Sequence, residues 1–273
     1  MSVPRVLIIA GSDSSGGAGI VRDVETVTTF GLKAAVAVTA VTAQSDRRVT
    51  AVQAMEPGLV AAQMEAALEG GLVGAVKIGM LADAGIVATV SDILEQHPTL
   101  PVVLDPVLAS TSGRTLLEAE GMRLMIERLL PRADLVTPNL PELELLTGSK
   151  GVEPSLQALL QFGIRAALIK GGHANDAADG TTIGSEPLLP KSNAEICTDL
   201  LIRPGLAPVA FDAPRLPGTL RGTGCMLASA IACGLASGRD LEASIRVAKG
   251  YVTAAFKDSQ REAISPETRS TAD

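Results

Sequence analysis

A chain of 273 residues with a formal charge of −7 has no cationic surplus for nucleic acid or an anionic membrane surface, so any phosphate must meet a local site. Hydrophobic residues make up 47% of it but aromatics only 2%, so the core must be Ala, Val, Leu and Ile, as in buried parallel strands. Three cysteines without paired spacing exclude a disulfide framework and a CxxC zinc or redox motif, and no apolar run is long enough for a membrane span.

Val6 to Ala10 reads as a buried strand ending at Gly11. With no basic leader ahead of that strand, a cytoplasmic chain is expected. The loop Ser12 to Gly19 leads into an amphipathic helix over 20–30, stopped by Gly31. No G-x-G-x-x-G frame fits this loop, and no Walker sequence occurs anywhere in the chain. Asp13 reads as a turn residue, and Asp23 as an acid favoured in a helix's first turns. Ala34 to Gln44 and Val49 to Met55 read as strands, and Leu59 to Leu68 as a helix. Ala75 to Leu81 and Pro101 to Val107 read as strands running into loops, with helices at 84–96 and 115–130. Asp105 therefore falls at a strand's carboxyl end, where open parallel sheets bind ligands.

Leu135 to Asn139 repeats the pattern, and Leu140 to Glu142 enters a short helix with Asn139 as cap and Glu142 at the third position. Ala166 to Lys170 does so again, ending in Gly171-Gly172-His173. Residues 174–198 read as a polar, mobile loop and Asp199 to Phe211 as an edge hairpin. Arg221 to Ala228 joins a glycine turn to a helix over 224–236, and a last helix spans 240–257. The expected architecture is one domain, 1–257, with a polar tail over 258–273. Its fold class is a three-layer α/β/α sandwich around a mostly parallel sheet, with right-handed crossovers.

Glycines at 222 and 224 let successive N–H groups point into one concavity, and the unpaired N–H groups of the following helix add positive partial charge there. Cys225 at the helix entrance is a proton acceptor, a nucleophile or a small filler. Asp105 and Glu142 suit Mg²⁺ held through water, and Glu142 can cap its helix as well. Lys170 either neutralises a transferring phosphoryl group or snorkels at the sheet edge. His97 sits in a surface turn without a role, and His173 is notable only for following the glycines. With two histidines, no H-E-x-x-H and no G-x-S-x-G, zinc hydrolysis and α/β-hydrolase chemistry are excluded. What remains is phosphoryl transfer without a Walker loop.

The stretches Ile9-Ala-Gly-Ser-Asp-Ser-Ser-Gly-Gly-Ala-Gly-Ile20, Thr42-Ala-Gln44, Lys77-Ile-Gly-Met-Leu-Ala82, Leu104-Asp-Pro-Val107, Thr137-Pro-Asn-Leu-Pro-Glu142, Lys170-Gly-Gly-His173 and Gly222-Thr-Gly-Cys225 resemble, in that order, the hydroxymethylpyrimidine/phosphomethylpyrimidine kinases. The resemblance runs over residues 5–256. It implies a ribokinase-like fold, a homodimer, and ATP- and Mg²⁺-dependent phosphorylation of 4-amino-5-hydroxymethyl-2-methylpyrimidine and then of its monophosphate, for thiamine synthesis. Gly11, Asp23, Gln44, Met80 and Val107 match pyrimidine-pocket positions. Asp105 and Glu142 match the metal and phosphate region, and Asn139, Glu142, Lys170, Gly222 and Gly224 the nucleotide side. Gly222, Gly224, Cys225 and Lys170 match the catalytic positions. Sugar kinases of this fold carry Asp where this chain has Cys225, which speaks against a sugar.

Where the family has His before the glycine turn, this chain has Arg221, which suits pairing with a substrate phosphate and would favour the monophosphate step. Two alternatives stand beside this reading. One is a pyridoxal or pyridoxine kinase of the same fold. The other is a non-catalytic pyrimidine-binding regulatory protein, against which the retention of Asp105, Glu142, Lys170 and Cys225 argues.

Overall fold

In the first strand Val6, Ile8 and Ala10 alternate with Leu7 and Ile9, and all five are buried. A strand apolar on both faces needs cover on both. The computed structural model, which describes residues 3–45, 48–109, 113, 115–171, 182–183, 186–187 and 195–264, supplies that cover as two helical layers.

In chain order the elements are β1 (Arg5–Asp13), α1 (Gly19–Thr29), β2 (Lys33–Gln44), β3 (Val49–Ala54), α2 (Pro57–Glu69), β4 (Val73–Ile78), α3 (Ala84–Glu95) and β5 (Val102–Leu104). Next, α4 (Ala119–Leu124) continues through a π-helical segment, Met125–Leu129, into the single turn α5 (Leu130–Arg132). Then come β6 (Leu135–Val136), α6 (Leu140–Thr147), α7 (Val152–Gln161), β7 (Ala167–Ile169) and a small separate pair, β8 (Thr182–Ile183) and β9 (Glu186–Pro187). The chain closes with β10 (Ile196–Ile202), β11 (Val209–Pro214), α8 (Thr223–Ala236) and α9 (Leu241–Ile264).

The nine-stranded sheet has the order β11-β10-β7-β6-β5-β4-β1-β2-β3. Pairing is parallel from β2 through β7 and antiparallel at β3, β10 and β11. Strand parity divides the core. Leu7, Ile9, Ile78, Leu104 and Val136 pack with residues of α2, α3, α6 and α7. Val6, Ile8, Val103, Leu135 and Leu168 pack with α1, α8 and α9. This is the expected three-layer, ribokinase-like α/β/α fold, and small residues such as Ala228, Ala230 and Ala232 let the central part of α8, Met226 to Gly234, lie buried against the sheet.

Several expectations shift. The helix expected from 115 starts at Ala119, because Thr115 and Leu117 form bridges with Ala109 and Ala82, and the Glu118 carboxylate accepts the Ala84 N–H at 3.1 Å. The helix α7 was not anticipated. Much of the expected loop 174–198, with His173, lies outside the described residues, whereas Ile196 to Thr198 belong to β10. The edge hairpin is present and wider than expected, with Asp199 opposite Phe211. The last helix runs to Ile264 rather than 257: Gln260 Nε2 donates to Pro217 O, and Arg261 pairs with Asp258 at 3.5 Å. Among the described residues no helix is long and apolar enough to cross a membrane.

Candidate active site

Because β4 to β7 run parallel, the residues that follow them emerge along one edge of the sheet. Three of these strands are followed by polar groups: Asp105 after β5, Thr137 and Asn139 after β6, and Lys170 after β7. Lys170 Nζ stands 3.0 Å from Asp105 Oδ1 and 3.5 Å from Glu142 Oε2, and all three side chains are largely buried. Thr137 Oγ1 donates to the same Asp105 oxygen at 3.1 Å. Asn139 and Glu142 form a reciprocal capping box, each side chain accepting the other's backbone N–H at 2.8 Å. One residue thus starts α6 and aims a carboxylate at Lys170.

Burial raises the Asp105 pKa, but Lys170, Lys77 and Thr137 together outweigh it and hold the carboxyl below its ordinary value. Glu142 moves upward, because burial, reinforced by Asp105, exceeds the pull of Lys170. Burial alone would lower Lys170, yet the two carboxylates beside it hold its ammonium protonated above the usual lysine value. One ammonium between two carboxylates leaves negative charge uncompensated, which fits a divalent cation on hard oxygen donors. Among the described residues, no group of three or more His, Cys, Asp or Glu forms a ready-made metal cage.

The glycine turn closes the site from the other side. Gly222 takes a left-handed φ of 74° as the cap of α8, and a Cβ there would stand 2.5 Å from Gly17 O. A Cβ on Gly224 would stand 3.2 Å from Lys170 Nζ and 3.6 Å from Asp105 Oδ2. The turn's backbone therefore lies against the charged cluster on one flank and the β1–α1 loop on the other. Cys225 is half-buried and its sulfur receives the Gly19 N–H. Burial pushes its thiol up to about 11, with Lys77 opposing and Asp23 and Asp105 adding to the rise.

Of the expected pocket residues, Gly11 sits at a register shift in β1, and a Cβ there would stand 3.0 Å from Met80 Sδ. Gln44 is tied to the β1–α1 loop: its N–H donates to Ser14 Oγ at 2.9 Å, and that hydroxyl donates back to Gln44 O at 3.0 Å. Val107 follows Asp105 and donates its N–H to Asp105 O at 2.9 Å. Asp23 departs from the expectation of a pocket wall. It is fully buried behind the site, where Oδ2 takes Lys77 Nζ and Oδ1 takes Ser229 Oγ, both at 2.8 Å.

Lys77 escaped the reading of the sequence, although a lysine inside an apolar strand pattern is itself a signal, since a buried charge requires a partner. Asp23, Cys225 and Asp105 overcome the effect of burial and keep it protonated. Asp199 and Lys249 were missed as well. Asp199 Oδ1 accepts the Gly171 N–H at 2.9 Å, fixing the residue after Lys170, and Oδ2 pairs with Lys249 Nζ at 2.7 Å. Lys249 also lines an open groove of about 610 Å³ between β11 and α9, together with Phe211, Asp212, Arg246, Thr253 and Lys257. None of the expected site residues lies in that groove. The convergence of charge is at the strand ends beside it.

Arg221 crosses from the glycine turn to the β1–α1 loop, with Nη2 3.0 Å from Asp13 Oδ2 and Nη1 2.9 Å from Ser15 Oγ.

The family model described as phosphomethylpyrimidine kinase matches residues 13–266. A hydroxymethylpyrimidine/phosphomethylpyrimidine kinase of Streptomyces coelicolor is 41% identical over 260 residues, which cover 93% of this chain and 88% of that one. Its Haemophilus influenzae counterpart is 35% identical over 262 residues, covering 93% and 91%. Among solved structures, phosphomethylpyrimidine kinase from Clostridium difficile 630 superposes with a TM-score of 0.73 at 32% identity, covering 93% of this chain and all of that one. Pyridoxal kinase from Staphylococcus aureus in complex with AMP-PCP gives 0.78 at 27% identity, covering 94% and 89%. The backbone thus resembles both kinds of kinase, and sequence identity separates them. With the family model matched over nearly its whole length, this chain belongs to the phosphomethylpyrimidine kinase family.

Proposed function

We propose that this chain transfers the γ-phosphoryl group of ATP to the hydroxymethyl oxygen of 4-amino-5-hydroxymethyl-2-methylpyrimidine, and then to the resulting monophosphate, giving the diphosphate used in thiamine synthesis. The observation that carries this reading is Lys170 held between Asp105 and Glu142 directly against the backbone of Gly224. Phosphoryl transfer through a loose transition state needs positioning and charge stabilisation more than covalent help. Lys170 and the N–H groups of the Gly222–Cys225 turn supply that stabilisation where charge builds on the transferring group. Mg²⁺, when bound through water to Asp105 and Glu142, would offset phosphate charge.

Gly11, Gln44, Met80 and Val107 wall the pyrimidine, with the Gln44 amide offering a donor and an acceptor to the ring's amino and nitrogen edge. Asp23 acts from behind by holding Lys77. The acceptor oxygen lies beside Cys225, whose raised pKa keeps it a neutral thiol at physiological pH. Asn139 holds Glu142 toward the nucleotide, and the groove between β11 and α9 takes the base. A cytoplasmic location accords with the unpaired state of Cys197, Cys225 and Cys233. A homodimer rests on the family resemblance.

Purified protein incubated with Mg-ATP and a panel of the hydroxymethylpyrimidine, its monophosphate and pyridoxal tests the reading through ATP consumption and product mass. The first two should be consumed in preference. The pyridoxal kinase alternative draws on the higher TM-score, and preferential consumption of pyridoxal would establish it. Pyrimidine binding without ATP consumption would point to a binding protein.

A further inference from the structure

Resting on the pyrimidine reading above, we infer that Arg221 is the specificity-determining residue that selects the phosphorylated pyrimidine over the unphosphorylated alcohol. Its place is the first support. It immediately precedes Gly222 at the mouth of the anion-binding turn, and a Cβ on Gly17 would stand 2.9 Å from Nη1 and 3.1 Å from Cζ, so the guanidinium lies against the backbone of the β1–α1 loop. That loop connects Gly11 with the helix start at Gly19, whose N–H reaches Cys225. The cation therefore sits where the pyrimidine pocket meets the phosphate-binding turn.

Its orientation is the second. Asp13 Oδ2 holds Nη2 at 3.0 Å and Ser15 Oγ holds Nη1 at 2.9 Å, while Asp13 Oδ1 is fixed by the Ser15 N–H and hydroxyl at 2.9 and 2.8 Å. The two charges of this pair are unequally placed. The arginine side chain is 25% exposed and the carboxylate 5%, so the pair presents its cationic end outward. A guanidinium has five N–H donors in a planar fork that matches phosphate. An uncharged hydroxymethyl group gains little from Arg221, whereas a phosphate dianion gains charge-assisted hydrogen bonds.

The competing role is a clasp, in which Arg221 only fastens the turn to the loop through Asp13. Substitution of either partner separates the two roles, because a clasp fails equally whichever side is removed. Binding of the hydroxymethylpyrimidine and of its monophosphate, without ATP, is measured by calorimetry for wild type, Arg221→Gln, Arg221→Lys and Asp13→Asn, with melting temperatures to verify folding. In Arg221→Gln the preference for the monophosphate should fall about tenfold or more. Arg221→Lys should retain part of it and Asp13→Asn should keep it. Equal weakening of both compounds in Arg221→Gln, or an Asp13→Asn profile matching that of Arg221→Gln, would overturn the inference in favour of the clasp. If wild type bound neither pyrimidine, the pyrimidine reading itself would fail. Inorganic phosphate then reads Arg221 alone: weaker binding in Arg221→Gln supports the anion role, and unchanged binding ends it.

Discussion

Lys77 and Asp23 meet at 2.8 Å with neither side chain exposed, although one comes from the carboxyl end of β4 and the other from α1. The pair sits behind the site, and Ser229 of α8 donates to the remaining carboxylate oxygen. It joins the sheet, α1 and α8 through charge, as Asp199 and Lys249 join β10 to α9 in the same layer. Removing one member of a buried pair leaves an uncompensated charge and costs about 3–5 kcal/mol, whereas replacing both with apolar residues is often close to neutral. Lys77→Met should therefore lose about 3–5 kcal/mol in urea denaturation, and the double substitution Lys77→Met with Asp23→Leu should lose distinctly less. A single variant as stable as wild type would contradict this account of the pair.

The two glycines of the turn should respond differently to alanine. Gly222 has a left-handed φ and faces the Gly17 carbonyl, a backbone atom that cannot swing aside. Gly222→Ala should lower stability by about 1–2 kcal/mol or more. Gly224 lies in the first turn of α8, where alanine is favoured over glycine, and its Cβ would press on the Lys170 ammonium at 3.2 Å and touch Asp105 Oδ2 at an ordinary 3.6 Å. Gly224→Ala should change thermal stability less than Gly222→Ala and should lower turnover, by about tenfold, because the ammonium must give way by a few tenths of an ångström. Melting curves and initial rates on the same preparations check both halves. Equal effects on stability would show that the turn is strained throughout.

Cys225 should behave as a neutral thiol across the physiological range. With its pKa pushed up to about 11 by burial, the thiolate fraction rises about tenfold for each pH unit until that value is reached. Alkylation by iodoacetamide, followed by mass spectrometry of the Cys225 peptide, should climb steadily from pH 7 to pH 10. A plateau below pH 9 would mean that the helix entrance and Lys77 lower the pKa more than burial raises it.

How much of this was legible depends on range along the chain. Asp105, Asn139 and Lys170 each end an apolar run, so their shared edge follows from a parallel sheet alone, and the capping spacing of Asn139 and Glu142 is local. The burial of Lys77 on Asp23 and the anchoring of Arg221 by Asp13 were set by partners 54 and 208 positions away, beyond any periodic pattern. Asp23 could be placed near the site but not behind it, because a position early in α1 is equally good for an acid facing solvent. The helix α7 was lost for a different reason. Val152, Leu156 and Leu159 do have helical spacing, but Pro154 in its first turn reads as a breaker when the start is not recognised.

The contacts from Asp13 and Ser15 to Arg221, and from Asp23 to Ser229, join the opening segments of the polypeptide to its last quarter. A ribosome extends the chain in one direction, so β1 and α1 are made long before the turn and helix that complete them. Until α8 has emerged, the first loop has no arginine to hold it and Asp23 no serine to bond. Catalytic competence therefore arrives late in translation, and a chain interrupted before Arg221 would carry all nine strands of the sheet yet lack a working site.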